Sequence, residues 1–181
     1  MPLRPVLQFP DPRLKRKSAP VTEVTPALRQ LAADMIEVMY DEPGIGLAAP
    51  QVGEAVRLVV MDTEWSGEGA EKSPRVMLNP EILSREGEIT WNEGCLSVPD
   101  FNADVVRAAR VRVRYQDLEG NTHEEDVSEL RAVCFQHELD HLDGVLFIDR
   151  ISKLKRSLYV AKRKKALQRE LEEASAPKKL V

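Results

Sequence analysis

The apolar positions of "VTPALRQLAADMIEVMYDEPG" fall at helical spacing, with Leu28, Leu31, Met35, Ile36 and Met39 on one side. Thr25 is a candidate N-cap, Pro26 suits the first helical position, and Pro43-Gly44 stops the helix. "GIGLAAPQVGE" reads as a glycine-rich connection, and the apolar run "VRLVVMD" as a buried strand. The polar stretch from Thr63 to Pro74 reads as a surface loop, and "RVMLNPEIL" and "GEITW" as shorter extended segments. "VRVRYQDLEGNTHEEDV" alternates apolar and polar residues about "LEGN", which predicts a hairpin. Ser128 caps a second helix, "SELRAVCFQHELDHL", closed by Gly144, with Leu130, Val133, Cys134, His137 and His141 on one face. A last helix is predicted in "ISKLKRSLYVAKRKKALQRELEEA". This order predicts an α+β fold, mainly antiparallel β-sheets around a central HExxH helix, with a C-terminal helix. No internal repeat and no domain boundary precede Ile151, so residues 1–151 read as one body and 152–181 as a basic helix and tail.

At 181 residues the chain can bury a single sizeable core, and 43% hydrophobic with 31% charged residues is ordinary for a soluble protein. Bulk composition therefore leaves activity open. The first residues, "MPLRPVLQFPDPRL", carry prolines where a signal peptide needs an apolar run, and no stretch reaches membrane-spanning length, so a cytoplasmic location is expected. In that compartment the two cysteines, Cys95 and Cys134, are expected to serve thiolate or metal chemistry at one site at least, rather than a disulfide. The net charge of -4 is uneven: from Ile151 onward ten basic residues face three acids, a surplus of seven that leaves about -11 on the rest.

Candidate chemistry begins with "HELDH". Residues i and i+4 share a helix face, so the imidazoles of His137 and His141 can reach one ion, and Glu138 is placed to bond a water beside it. The plain alternative is a structural histidine pair, since so short a motif recurs by chance. Cys95 in "WNEGCLSVP" favours the metal, because Gly94 permits a bend and Pro99 punctuates the loop, so the thiol can face a cleft. Its own alternative is a buried small apolar residue, a role that suits Cys134 better. Cys95, His137 and His141 leave one tetrahedral position open, as a catalytic metal requires. A closed structural site would need His123, the one remaining histidine.

Three motifs stand in order along the chain: "GIGLAAPQ" (44–51), "EGCLS" (93–97) and "QHELDH" (136–141). Together they resemble the peptide deformylases, over roughly Pro5 to Ile151. The resemblance implies a metal-dependent hydrolase that removes the N-terminal formyl group from the formyl-methionine of newly made proteins and releases formate. By matching position it implies Cys95, His137 and His141 as metal ligands and Glu138 as general acid/base. It implies Gln51 and the backbone N–H of Leu96 as oxyanion donors, Glu93 and Arg107 as a supporting ion pair, and the glycine-rich loop with Gly46 and Gly94 as backbone edges for the substrate. The expected methionine pocket is lined by Ile45, Trp91, Leu130, Val133 and Cys134. Two positions depart from the pattern: Trp91 stands where an aliphatic residue often borders the pocket, and Asn102 where relatives often carry a basic or aromatic residue.

The implied cofactor is one divalent metal ion, Fe(II), with zinc or nickel able to replace it; spacing alone does not choose among them. The expected partners are N-formylmethionyl nascent peptides and, through the basic C-terminal helix, the ribosome, whose RNA phosphates would attract its lysines and arginines. Neither membrane nor DNA is expected.

Overall fold

The computed structural model of the chain describes residues 3–175; the last part of the expected tail, 176–181, lies outside them. Helix α1 (Pro26–Asp41) begins where Thr25 Oγ1 accepts a hydrogen bond from the Leu28 N–H at 3.2 Å, with proline in the first turn. Its face of Leu28, Leu31, Ala32, Met35, Val38 and Met39 is buried against Leu47, Leu58 and Val60. Each buried leucine, methionine or valine on it contributes roughly 1.5–3 kcal/mol.

Seven strands follow: β1 (Gly46–Ala48), β2 (Leu58–Met61), β3 (Arg75–Glu86), β4 (Ile89–Cys95), β5 (Val98–Arg107), β6 (Arg110–Gln116) and β7 (Thr122–Ser128). Five form an antiparallel sheet in the order β1-β2-β3-β6-β7, while β4 and β5 pair separately. Helix α2 (Glu129–Leu142) packs on the large sheet through Ala132, Cys134, Phe135 and Leu142 and turns its histidines toward β4. Gly144 ends this turn with φ 74°, where an added Cβ would stand 2.5 Å from the Lys15 carbonyl oxygen. The fold is therefore α+β, with antiparallel sheets around the HExxH helix. Among the described residues no helix is long and apolar enough to cross a membrane.

Helix α3 (Lys153–Ser175) docks through Tyr159, which is buried among Phe9, Phe101 and Phe147. The Arg163 guanidinium adds hydrogen bonds to the Phe9 carbonyl and to Gln8 Oε1, at 3.1 and 2.9 Å. Lys153, Lys155, Lys162, Lys164 and Lys165 remain exposed.

Three local expectations differ from the structure. "GIGLAAPQ" is not a connection: Gly46–Ala48 pairs with β2, and a 3₁₀ turn, Ala49–Val52, follows. "RVMLNPEIL" is part of one 12-residue strand, which tolerates Pro80 because its register shifts between Leu78 and Glu81, with Asn79 at φ 50°. Cys95 ends strand β4 rather than sitting in a loop, and Pro99 lies within β5, a strand in which buried and exposed residues alternate from Ala103 to Arg107.

Candidate metal centre and substrate cleft

Helix α2 brings His137 and His141 to one face, with their Nε2 atoms 3.2 Å apart. The end of β4 delivers Cys95, whose Sγ lies 3.3 Å from His141 Nε2, and the three donor atoms fall within 4.8 Å of one another. Glu93, two residues earlier on β4, fixes the first ring. Its carboxylate can only accept, so His137 Nδ1 carries a proton and donates to Glu93 Oε2 at 2.8 Å, which makes Nε2 the atom that faces the other donors. Burial, helped by the positive charges of His137 and Arg107, holds His141 well below the ordinary histidine value, so its ring is neutral, whereas His137 is raised well above that value because Cys95, Glu93 and Glu138 outweigh its burial. Donor atoms gathered this closely share a cation, which is the His137 proton in the metal-free protein and a metal ion once one displaces that proton. One thiolate and two imidazoles suit Fe(II), Zn(II) or Ni(II) rather than the oxygen-seeking Mg(II) or Ca(II).

The fourth-ligand alternative does not form. His123 lies on the β6-β7 hairpin, stacked on Tyr115 with its Nε2 2.7 Å from Asp117 Oδ2. Cys134 is buried in the sheet-facing core, with its Sγ 3.8 Å from the Ile45 carbonyl, and is not one of the converging donors.

Glu138 follows the first histidine and is 4% exposed, and its Oε2 has no hydrogen-bond partner. A buried carboxyl oxygen without a partner is costly, and one beside a metal-ligand cluster is positioned for a water or substrate group. Burial is the main influence on this group: it pushes the Glu138 pKa up to about 7 against the opposing pull of His137. Burial would also raise Glu93, yet the Arg107 guanidinium and His137 hold it at about 2. Arg107 grips both Glu93 oxygens, at 2.7 and 2.9 Å.

Gln51 reaches the centre from the 3₁₀ turn after β1. Its Oε1 accepts from the Ala48 N–H at 2.9 Å, and its Nε2 donates to Ser97 Oγ at 3.1 Å and lies 3.7 Å from Cys95 Sγ. Ser97 was not anticipated. Its fully buried hydroxyl orients the amide, and its place within "EGCLS" was the only signal in the chain.

A cleft of about 420 Å³ opens over this group. Ile45, Gly46, Gln51, Trp91, Glu93, Gly94, Cys95, Leu96, Leu130, Val133, Cys134, His137 and Glu138 all line it. His141 and Arg107 stand behind it, the one as a converging donor and the other on Glu93. Asn102 is found over Gly94, where an added Cβ would meet its Nδ2 at 2.7 Å.

A sequence model described as polypeptide deformylase matches residues 3–157. A peptide deformylase of Rhodopseudomonas palustris (strain BisB5) is 54% identical over 170 residues, covering 93% of this chain and 97% of that protein. The crystal structure of a peptide deformylase from Legionella pneumophila superposes with a TM-score of 0.84 at 41% identity, covering 97% of this chain and all of the other. One from Synechococcus elongatus, in complex with actinonin, gives 0.83 at 38%, covering 91% and 89%. The chain belongs to the polypeptide deformylase family, metal-dependent hydrolases that remove the N-terminal formyl group from nascent peptides.

Proposed function

We propose that this chain performs its family's reaction with Cys95, His137 and His141 holding Fe(II), Glu138 as the proton carrier, and Gln51 with the Leu96 N–H as oxyanion donors. The convergence of one thiol and two imidazoles beside an unpartnered buried carboxyl carries the reading. When bound, the metal supplies Lewis acidity toward water and toward the formyl oxygen. Glu138, with a pKa near neutrality, takes the proton of the attacking water and returns it to the departing amine, freeing the methionyl N-terminus and formate. Gln51 meets the charge growing on the formyl oxygen with an amide already oriented by Ala48 and Ser97, so little reorganisation is needed in the transition state.

The peptide lies between two backbone edges, Gly44 to Gly46 and Asn92 to Gly94, as an added strand. Its methionine side chain enters the pocket of Ile45, Trp91, Leu130, Val133 and Cys134. A formyl carbon bears only hydrogen, so a close-fitting site rejects an acetyl group by size.

The exposed lysines of α3 form a cationic face for ribosomal RNA, which would hold the enzyme where formylated chains emerge. Residues 1–151 form the catalytic body and 152–181 the basic extension. The cytoplasm, where nascent chains carry formyl groups, is the corresponding location.

The deciding experiment measures formate release from a formyl-Met tripeptide and its acetyl analogue, using protein purified without oxygen and assayed for metal in the same sample. Fast formate release, little deacetylation and iron in the active fraction are expected. Equal rates on both substrates would overturn the pocket, and activity confined to zinc-loaded protein would overturn the choice of iron.

A further inference from the structure

Behind the His137 ring, four alternating charges run from the candidate metal centre to the protein surface. Glu93 accepts from His137 Nδ1, and Arg107 grips Glu93 with its Nε and Nη2. The third arm of Arg107, Nη1, donates to Asp140 Oδ2 at 2.6 Å. Asp140 is gripped in turn by Arg150, whose Nε and Nη2 each lie 2.5 Å from one of its oxygens. Side-chain exposure rises along the line, from 3% at Glu93 and Arg107 through 12% at Asp140 to 43% at Arg150. A cavity of about 490 Å³ on another face of α2 from the substrate cleft opens onto Arg107, Asp140 and Arg150.

We propose that Arg150, acting through Asp140, is a positioning residue for the metal ligand His137. Arg107 divides its donors between two carboxylates. With Arg150 in place, Asp140 has its own cation and leaves the Arg107 fork square on Glu93. Without Arg150, the uncompensated Asp140 draws the guanidinium outward, loosening the fork on the carboxylate that sets the His137 tautomer and ring orientation. The proposal rests on the reading of His137 as a ligand, and the experiment separates the two.

The test uses the full chain loaded with cobalt(II), following metal loss to EDTA and the cobalt absorption bands. Arg150→Met should speed metal loss about three- to tenfold, below the ten- to hundredfold typical of a group bonded directly to a ligand, and should shift the bands. Arg150→Lys should recover much of the loss. Asp140→Asn removes the competing carboxylate, so alone it should leave metal loss near the parent rate, and added to Arg150→Met it should bring metal loss back toward the parent rate. Arg156→Met removes a neighbouring arginine that pairs with Asp149 instead, and should leave both readouts unchanged. Parent-like metal loss in Arg150→Met, or metal loss in the double variant as fast as in Arg150→Met alone, would overturn the proposal. Should Asp140→Asn fail to fold, the Met and Lys variants of Arg150 decide it alone. If His137→Ala retains cobalt with the parent spectrum, the ligand reading itself fails, whatever Arg150 does.

Discussion

A Cβ on Gly46 would stand 2.5 Å from Oε1 of Glu138 and 2.8 Å from Sγ of Cys134, so β1 passes the acid on α2 with no room for a side chain. The glycine is required here by close approach, not by its backbone angles. Glu138 can swing away, which keeps the fold but displaces the proton carrier. Gly46→Ala should therefore lower stability by only about 1–3 kcal/mol, the range for overpacking, while kcat falls much further than unfolding accounts for. Thermal unfolding and steady-state kinetics on the same sample check this. Parent-like kcat would mean that Glu138 is not the carrier.

Glu138→Gln keeps the shape and removes the proton acceptor. Metal content should stay at the parent level while kcat drops about 10²–10⁴-fold, the usual contribution of general acid–base catalysis. Metal analysis alongside a formate assay separates this outcome from simple loss of the ion.

Arg107 and Glu93 are both almost fully buried, so removing one leaves an uncompensated charge inside the protein. Arg107→Met should cost about 3–5 kcal/mol of stability, read by urea unfolding, and should weaken metal retention. Arg107→Lys keeps the charge but cannot reproduce the two-pronged grip, so it should rescue stability more than metal retention.

Asp62 is a third buried carboxylate, outside the residues that line the substrate cleft. It accepts from Tyr40 OH at 2.5 Å and from the backbone N–H groups of Glu64, Trp65 and Ser73, pinning the 63–74 loop. Burial alone would raise its pKa, but these donors together hold it below the usual carboxylate value. A depressed folded pKa gives stability that is complete above the unfolded value, about 3.9, and is lost as pH falls through the folded one. Asp62→Asn should cost about 1.5–3 kcal/mol at pH 7, as expected for hydrogen bonds to a charged group. The gap between variant and parent should narrow as the solution is acidified below about pH 4. Urea titrations at neutral and acid pH check the sign.

The lysines on α3 can be neutralised without touching Tyr159, which belongs to the core. Replacing Lys162, Lys164 and Lys165 by glutamine should weaken low-salt co-sedimentation with ribosomes and flatten its salt dependence, leaving turnover of a free tripeptide unchanged. Undiminished co-sedimentation would remove the ribosomal reading of this helix.

Much was legible in the chain because it is written locally. Helix α1 and the β6-β7 hairpin follow from periodicity and end signals, and His137, Glu138 and His141 share a helix face by spacing alone. The family resemblance added Gln51, Glu93 and Arg107, which no local pattern marks. What the sequence could not state is which distant segments meet. That Cys95 arrives at the end of a strand, that Ser97 orients Gln51, and that Arg150 closes a line of charges behind His137 depend on strand pairing and on contacts between residues 10 to 46 positions apart. The physical reason is that spacing along a helix or strand fixes a side chain's direction. The packing of the sheets against α2 decides what that side chain meets, and a buried charge such as Glu93 can be interpreted only once its partner is in place.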